Sequence, residues 1–209
     1  SNEANATTPT DPATVAPAMP DNIGGTAVIR GVNLTWRDNA DDETSFTIQY
    51  ANVSASTTSC SAVTTWGSDV TKSTNSTSHA FSGLLEGTAY CFRIRANKTT
   101  ATAPSNWATI SAPITTLPPA PAAPTNPAAT AVSTSQINLS WTDASNNESG
   151  FKIEFKRTSG DASTWTETAT VNANVTTYNK TSLLEATSYD FRVRAANAGG
   201  NSSYATVSN

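Results

Sequence analysis

Residues 33–48 read NLTWRDNADDETSFTI, and residues 138–153 repeat this stretch as NLSWTDASNNESGFKI, 105 positions later. In the first copy Leu34 and Trp36 alternate with polar residues, and so do Phe46 and Ile48. A period of two is typical of a β-strand that buries one face. The repeated stretch therefore predicts that two homologous segments each contribute a pair of half-buried strands.

A second stretch is also repeated, but at a different distance. Residues 84–96 read LLEGTAYCFRIRA, and residues 183–195 read LLEATSYDFRVRA, 99 positions later. The first copy therefore has six additional residues between Ile48 and Leu84. A repeat of about one hundred residues is too long for a solenoid unit and has the size of a whole small domain.

The two copies divide the chain of 209 residues into four parts. Residues 1–20 are rich in Thr and Pro and predict an N-terminal tether. Residues 21–117 form the first domain and residues 124–209 the second. Between them, residues 118–123 are Pro-rich and predict a short, semi-rigid linker, because proline favours extended backbone.

No segment of the chain shows a sustained helical period of 3.6 residues. Short alternating runs separated by turn residues recur instead, as in Tyr90-Cys91-Phe92 and Tyr189-Asp190-Phe191. Runs of this kind are typical of two antiparallel sheets packed face to face. We therefore expect an all-β protein that consists of two antiparallel β-sandwiches in tandem.

These motifs resemble those of fibronectin type III domains. The resemblance rests on a Trp in the second strand, a Pro-rich entry and the run Leu-x-x-x-Thr-x-Tyr-x-Phe-Arg-Ile/Val-Arg-Ala. The spacing Trp-x-Asp-x4-Glu-x2-Phe-x-Ile is similar to that in secreted bacterial and archaeal multidomain proteins. The resemblance covers about residues 20–117 and 124–209, and it implies an immunoglobulin-like fold.

The resemblance also implies three kinds of structural residue, each present once per copy. One tryptophan packs between the sheets, one tyrosine forms a tyrosine corner, and one leucine fills the core beneath that corner. These residues are Trp36 and Trp141, Tyr90 and Tyr189, and Leu85 and Leu184.

Both cysteines lie in the first copy. The alternation places Cys91 on the outer face of its strand, and Cys60 lies in the longer loop of that copy. We expect a Cys60–Cys91 disulfide that attaches this loop to the sheet and contributes roughly 3–4 kcal/mol. A disulfide indicates an extracellular location, whereas two free thiols would suit a cytosolic protein.

Composition argues against several classes of function. The net charge is −4 with no basic run, which disfavours nucleic acid as a partner, and no apolar stretch is long enough to span a membrane. The single histidine, His79, corresponds to Tyr178 and has no matched acid or nucleophile nearby. We predict no enzymatic activity, no catalytic residues, no cofactor and no metal site.

An acidic turn at residues 38–43 is echoed in the second copy at residues 143–148. Calcium binding is one interpretation, because hard cations prefer several oxygen ligands on one loop. The spacing matches no calcium-loop signature, and the second copy replaces two of the acids with Asn146 and Asn147. We favour a hydrogen-bonded turn in which Asp and Asn accept from backbone amides.

Three tryptophans outside the predicted core are candidates for ligand or partner contact. Trp66 and Trp165 correspond across the copies, on the edge strand that follows the longer loop, and Trp107 is the third. Exposed aromatic rings stack on sugars or pack into a partner. The alternative is that each ring covers its own sheet edge, beside a repeated strip of arginines paired with carboxylates.

Asn-x-Ser/Thr triplets are frequent, and in a secreted eukaryotic or archaeal protein they are glycosylation candidates. Chance is the competing explanation, because Asn, Ser and Thr are abundant. The candidates are Asn5, Asn52, Asn75, Asn97, Asn147, Asn174, Asn179 and Asn201.

These features favour a non-enzymatic extracellular or cell-surface module that acts as a spacer or as a rod that binds proteins or glycans. One alternative is a self-assembling filament subunit whose N-terminal tail docks on a neighbouring copy. A second is an accessory module of a secreted polysaccharide hydrolase. The expected partners are other copies of the chain, surface proteins or polysaccharides.

Overall fold

The computed structural model describes residues 12–158 and 164–207. The chain divides into two compact units, and the boundary between them falls between Leu117 and Pro118. We refer to them as domain 1 and domain 2. Within the described residues the secondary structure is almost entirely antiparallel β, so the all-β prediction is confirmed.

Domain 1 begins with a 3-10 turn at Pro12–Thr14 and continues with eight strands. The strands are β1 (Asp21–Val28), β2 (Gly31–Arg37), β3 (Ser45–Val53), β4 (Val70–Ser73), β5 (Ser78–Ser82), β6 (Ala89–Asn97), β7 (Ala108–Thr109) and β8 (Ile114–Thr115). One sheet has the order β1-β2-β5, and the other has the order β4-β3-β6-β7 with β8 also paired to β6.

Domain 2 repeats this arrangement. Its strands are β9 (Thr125–Ser133), β10 (Gln136–Thr142), β11 (Gly150–Arg157), β12 (Thr166–Asn172), β13 (Thr177–Lys180), β14 (Tyr189–Asn197), β15 (Gly200–Asn201) and β16 (Ala205–Val207). The sheets have the orders β13-β10-β9 and β12-β11-β14-β15, and β16 also pairs with β14.

The core of each domain lies between its two sheets and follows the alternation in the sequence. Trp36 and Phe46 face each other in domain 1, with ring centroids 5.9 Å apart, and Trp141 and Phe151 do so at 5.6 Å in domain 2. Burial of each large apolar side chain contributes about 1.5–3 kcal/mol. The inward-facing set of domain 1 comprises Val32, Leu34, Trp36, Phe46, Ile48, Tyr90, Phe92, Ile94 and Ala96.

A tyrosine corner closes each sandwich. The hydroxyl of Tyr90 accepts a hydrogen bond from the backbone N–H of Leu85 at 3.1 Å, and that of Tyr189 accepts from Leu184 at the same distance. The prediction that Leu85 and Leu184 fill the core is wrong, because both are more than half exposed. The preceding leucines, Leu84 and Leu183, are buried instead.

The reason lies in the residue that precedes each leucine pair. Gly83 and Ser182 both have positive φ angles, 73° and 59°. This left-handed conformation reverses the chain just before the pair. The first leucine of the pair then enters the core and the second faces solvent, a choice that alternation in the sequence does not determine.

Parts of the predicted N-terminal tether and of the predicted linker each pack on a domain. Residues 1–11 of the predicted tether lie outside the described residues, but from Pro12 onward the segment contacts domain 1. The Thr102 N–H donates to the Thr14 carbonyl at 3.1 Å, and Pro20 is fully buried. In the predicted linker, the carbonyl of Pro119 accepts from the Asn147 and Asn197 side-chain amides at 3.2 and 2.9 Å.

Candidate ligand-contact surface

The outer face of the second sheet of domain 1 carries alternating aromatic and arginine side chains. The Arg93 guanidinium lies 4.5 Å from the Trp66 ring centroid and 4.2 Å from that of Trp107. The Arg95 guanidinium lies 4.5 Å from the same Trp107 ring centroid. We call Trp66, Arg93, Trp107 and Arg95 the ladder of domain 1, and cation–π attraction stabilises it.

A neutral side chain anchors this ladder. The Gln49 Oε1 atom accepts from Arg93 Nε at 2.8 Å and from Arg93 Nη2 at 2.5 Å. The Gln49 Nε2 atom donates in turn to Asp69 at 2.6 Å. Burial, and then the neighbouring Arg95 charge, lower the pKa of the Arg93 guanidinium.

Domain 2 has an equivalent ladder, formed by Trp165, Arg192, Tyr204 and Arg194. The Arg192 guanidinium lies 4.3 Å from the Trp165 centroid and 3.8 Å from the Tyr204 centroid, and Arg194 lies 4.5 Å from Tyr204. Tyr204 thus takes the place of Trp107. Sequence comparison missed this residue, because the offset between the copies shortens once more between β14 and β16.

A carboxylate replaces the glutamine in domain 2. Glu154 pairs with Arg192 in a hydrogen-bonded ion pair and accepts from the Tyr204 hydroxyl at 2.5 Å. Burial alone would raise the pKa of Glu154, but the bonds from Tyr204 and Arg192 outweigh it and hold this pKa below its usual value. Burial and the Glu154 carboxylate raise the pKa of Tyr204. The predicted pairing of the arginines with carboxylates therefore describes domain 2 but not Arg93.

The two domains also differ at the end of this face. Cys60 and Cys91 form a disulfide with Cα atoms 5.5 Å apart, and both residues are fully buried. The disulfide holds the loop between β3 and β4 across the outer face of the sheet, and the Cys60 N–H donates to the Ser111 carbonyl at 3.1 Å. In domain 2, Asp190 stands in place of Cys91 and pairs with Lys156 at 3.6 Å.

The three candidate tryptophans are half-buried rather than fully exposed. The structure brings Trp66 and Trp107 together around Arg93, and it places Trp165 on the corresponding face of domain 2. Trp66 and Trp165 do not lie on an edge strand as expected, because each precedes its strand in the chain, β4 and β12 respectively. Irregular backbone at these positions lets each ring fold over an arginine.

One ring of the ladders borders an open groove. Trp66 lines a groove of about 560 Å³ together with Tyr50, Asn52, Thr65 and Ser68. A hydrogen bond holds the Trp66 indole in place, since its Nε1 donates to the Val63 carbonyl at 3.1 Å. An aromatic ring surrounded by hydroxyl and amide groups is the chemistry that suits a carbohydrate or a polar peptide.

The acidic turns are hydrogen-bonded turns in the structure. Asp38 accepts from the Ala40 N–H at 3.0 Å, and Glu43 accepts from the Asn75 N–H at 2.8 Å. Glu148 accepts from the Asn174 N–H at 3.4 Å in the same way. No cluster of three or more potential metal ligands occurs in residues 12–158 and 164–207.

The glycosylation candidates differ in how accessible their side chains are. Asn52, Asn75, Asn174, Asn179 and Asn201 are exposed. The side-chain nitrogens of two others are engaged: that of Asn97 donates to Thr47 at 2.9 Å, and that of Asn147 donates to Pro119. Asn5 lies outside the described residues. Glycosylation of the exposed candidates remains a prediction.

The geometry defines a tandem pair of immunoglobulin-like sandwiches, each with a ladder on one outer face. Residues 28–111 and 122–209 match the family model of the fibronectin type III domain. The chain therefore belongs to the fibronectin type III family, whose members are generally non-catalytic modules, and the resemblance seen in the sequence is confirmed.

Two curated relatives match most of the chain. Chitinase A1 of Niallia circulans is 33% identical over 202 residues, which cover 92% of this chain and 25% of the relative. Endoglucanase B of Cellulomonas fimi is 30% identical over 179 residues, which cover 82% of this chain and 16% of the relative. The chain thus spans a quarter or less of the length of these relatives.

A solved structure of the FN1–FN3 domains of chicken CNTN1 shows the same fold. It is 18% identical, has a TM-score of 0.50, and the match covers 93% of this chain and 67% of that one. No helix in the described part of the protein is long and apolar enough to cross a membrane.

Proposed function

We propose that the chain is a pair of non-catalytic accessory modules of an extracellular protein that acts on polysaccharides. The observation that carries this proposal is the similarity to a chitinase over 92% of the chain, across both domains. An endoglucanase matches 82% of the chain and supports the same class of partner. The Cys60–Cys91 disulfide supports an oxidising compartment, since such bonds persist mainly outside the cytosol.

The groove beside Trp66 is our candidate for contact with the polysaccharide. The Trp66 ring is held in place by the cation–π contact with Arg93 and by the hydrogen bond to the Val63 carbonyl. The disulfide further fixes the loop that carries Trp66. A preorganised ring loses little conformational entropy on binding, which favours contact with a sugar.

Binding to insoluble chitin and to microcrystalline cellulose tests this proposal. The chain is mixed with each polymer, the polymer is pelleted, and the unbound fraction is measured over a range of protein concentrations. We expect saturable binding to at least one polymer, and a loss of about tenfold in affinity for Trp66→Ala. Trp165→Ala in domain 2 is the matched control and should change the affinity less.

Two results would argue against the proposed contact. Absence of binding to both polymers would exclude a polysaccharide-contacting module and leave a spacer role, which the two-domain architecture also supports. Equal losses for Trp66→Ala and Trp165→Ala would show that the groove of domain 1 is not the contact site.

A further inference from the structure

In domain 2 a single carboxylate serves both arginines of the ladder. The Glu154 Oε2 atom accepts from Arg192 Nε at 2.7 Å. The Glu154 Oε1 atom lies 3.7 Å from Arg194 Nη2 and also accepts from the Tyr204 hydroxyl. Because each oxygen takes one of the two guanidinium groups, neither arginine on this outer face is left without a counter-charge.

Domain 1 has only half of this arrangement. The Gln49 Oε1 atom takes the role of Glu154 Oε2, and both of its bonds go to Arg93. The other end of the glutamine side chain is an NH2 group, which donates to Asp69 and cannot accept from an arginine. Gln49 therefore offers Arg95 no acceptor equivalent to the second carboxylate oxygen.

Arg95 finds no acceptor elsewhere in the described part of the chain. Its guanidinium makes no ion pair and no hydrogen bond with a described residue, and its contact is the Trp107 ring. The Nε atoms of Arg95 and Arg194 are both buried without a hydrogen-bond partner, so the nearby carboxylate is what separates the two arginines. Domain 1 thus presents a half-buried cation without a counter-charge.

The ring beside Arg95 adds a second donor. Trp107 has the place that Tyr204 has in domain 2, where the tyrosine hydroxyl donates to Glu154. The indole N–H of Trp107 makes no hydrogen bond with a described residue, so it is available to an incoming acceptor. A half-buried indole also offers an apolar surface on which a sugar ring packs.

We propose that Arg95 and Trp107 bind the carboxylate of an anionic sugar, a uronic acid residue of a polysaccharide, in the role that Glu154 Oε1 has in domain 2. Charge complementarity supports an anion, because the ladder of domain 1 contains two arginines and no carboxylate. The planar guanidinium suits a carboxylate in particular. The adjacent ring favours a sugar over an acidic peptide. Neither Arg95 nor Trp107 lines the groove beside Trp66, so the two sites are separate.

Titration of the chain with trigalacturonic acid, followed by calorimetry and by tryptophan fluorescence, tests this inference. We expect saturable binding at a single site per chain that weakens as the salt concentration rises, and no binding of the neutral galactose trisaccharide. Arg95→Gln should lower the affinity about tenfold, because it removes the charged donor. Arg30→Gln removes the same charge from an exposed turn of domain 1 and should change the affinity less than about twofold.

Exchange of the anchoring side chains between the domains is a sharper test. Gln49→Glu supplies an internal carboxylate to the ladder of domain 1 and should abolish binding there. Glu154→Gln removes the internal carboxylate from domain 2 and should raise the number of sites per chain from one to two. Thermal unfolding of both variants checks that each is folded.

Four outcomes would overturn the inference. The first is absence of trigalacturonic acid binding at low salt. The second is an equal loss for Arg95→Gln and Arg30→Gln, which would show attraction by net charge alone. The third is binding that survives Gln49→Glu, or a site number that stays at one in Glu154→Gln. The fourth is tighter binding of triglutamate than of trigalacturonic acid, which would assign the site to an acidic peptide. None of these results depends on binding to chitin or cellulose, so they are distinguishable from a failure of the proposed function.

Discussion

The ladder of domain 1 is bordered by a disulfide and anchored by a neutral glutamine, whereas the ladder of domain 2 is bordered and anchored by ion pairs. Cys91 corresponds to Asp190, and Gln49 corresponds to Glu154, yet in both domains an arginine lies between two aromatic rings. Stacking of arginine between two rings is therefore the common element, and the groups that hold it are interchangeable.

This difference has a physical consequence for the two domains. A disulfide acts mainly by restricting the unfolded chain and is insensitive to moderate changes in pH. An ion pair depends on the charge of its carboxylate and is lost when that carboxylate is protonated. The ladder of domain 1 should therefore be sensitive to reduction, and the ladder of domain 2 to acid.

The largest effect should come from the disulfide. Cys60 and Cys91 are 31 residues apart, and a loop of this length predicts roughly 3–4 kcal/mol of stabilisation. We expect Cys60→Ala with Cys91→Ala to lower the stability of domain 1 by that amount and to leave domain 2 unchanged. Differential scanning calorimetry of the tandem chain measures both, and a shift of both transitions together would contradict independent domains.

The next largest effect should come from the carboxylate of domain 2. Glu154→Ala leaves Arg192 and Arg194 facing each other without a counter-charge, although both are partly exposed. We expect a loss of about 2 kcal/mol, less than the roughly 3–5 kcal/mol for a fully buried pair, because the arginines are partly exposed. Gln49→Ala in domain 1 is the matched change and should cost about 1 kcal/mol, since it removes hydrogen bonds but no charge.

The two domains also show which parts of the fold could be predicted from the sequence. The repeat and its alternation predict the two sandwiches, and the resemblance to fibronectin type III domains implies the core tryptophans and the tyrosine corners. Cys60 and Cys91 could be paired because the extra residues of the first copy lie in the loop of Cys60. Features common to both copies were the most predictable part of the fold.

Features that depend on local backbone geometry could not be predicted. The resemblance implies Leu85 in the core, but the positive φ of Gly83 places Leu84 there, and the sequence alone does not determine that angle. Trp66 was placed on a strand because the loop before β4 has no signature of its own. Tyr204 was missed as the partner of Arg192, because its equivalent in the first copy is a tryptophan and the offset changes once more.

A smaller effect should follow removal of a tyrosine hydroxyl, which both domains share. Tyr90→Phe and Tyr189→Phe each remove one bond to a backbone N–H, made at 3.1 Å in both domains. We expect a loss of about 1 kcal/mol in each domain, measured by urea unfolding. Unequal losses would show that the two corners are not equivalent, although both tyrosines are buried and make the same bond.

The smallest expected effect is the pH dependence of stability, which differs between the two ladders because only the ladder of domain 2 contains a carboxylate. The folded-state pKa of Glu154 is lowered, so its carboxylate contributes stability above the unfolded value of about 4.3–4.5, and this contribution is lost as the pH falls below it. Glu43 and Asp21 in domain 1 and Glu148 in domain 2 have lowered pKa values too, so each variant is compared with the parent chain and not with the other domain.

We therefore expect Glu154→Gln to reduce the acid sensitivity of domain 2, and Gln49→Glu to increase that of domain 1. Each change should be below about 1 kcal/mol between pH 7 and pH 3, because the carboxylate exchanges one set of hydrogen bonds for another. Urea unfolding of both variants at several pH values measures this difference. An unchanged pH dependence in both variants would show that the arginine is held by the aromatic rings alone, and that the anchor beneath it contributes no charge-dependent stability.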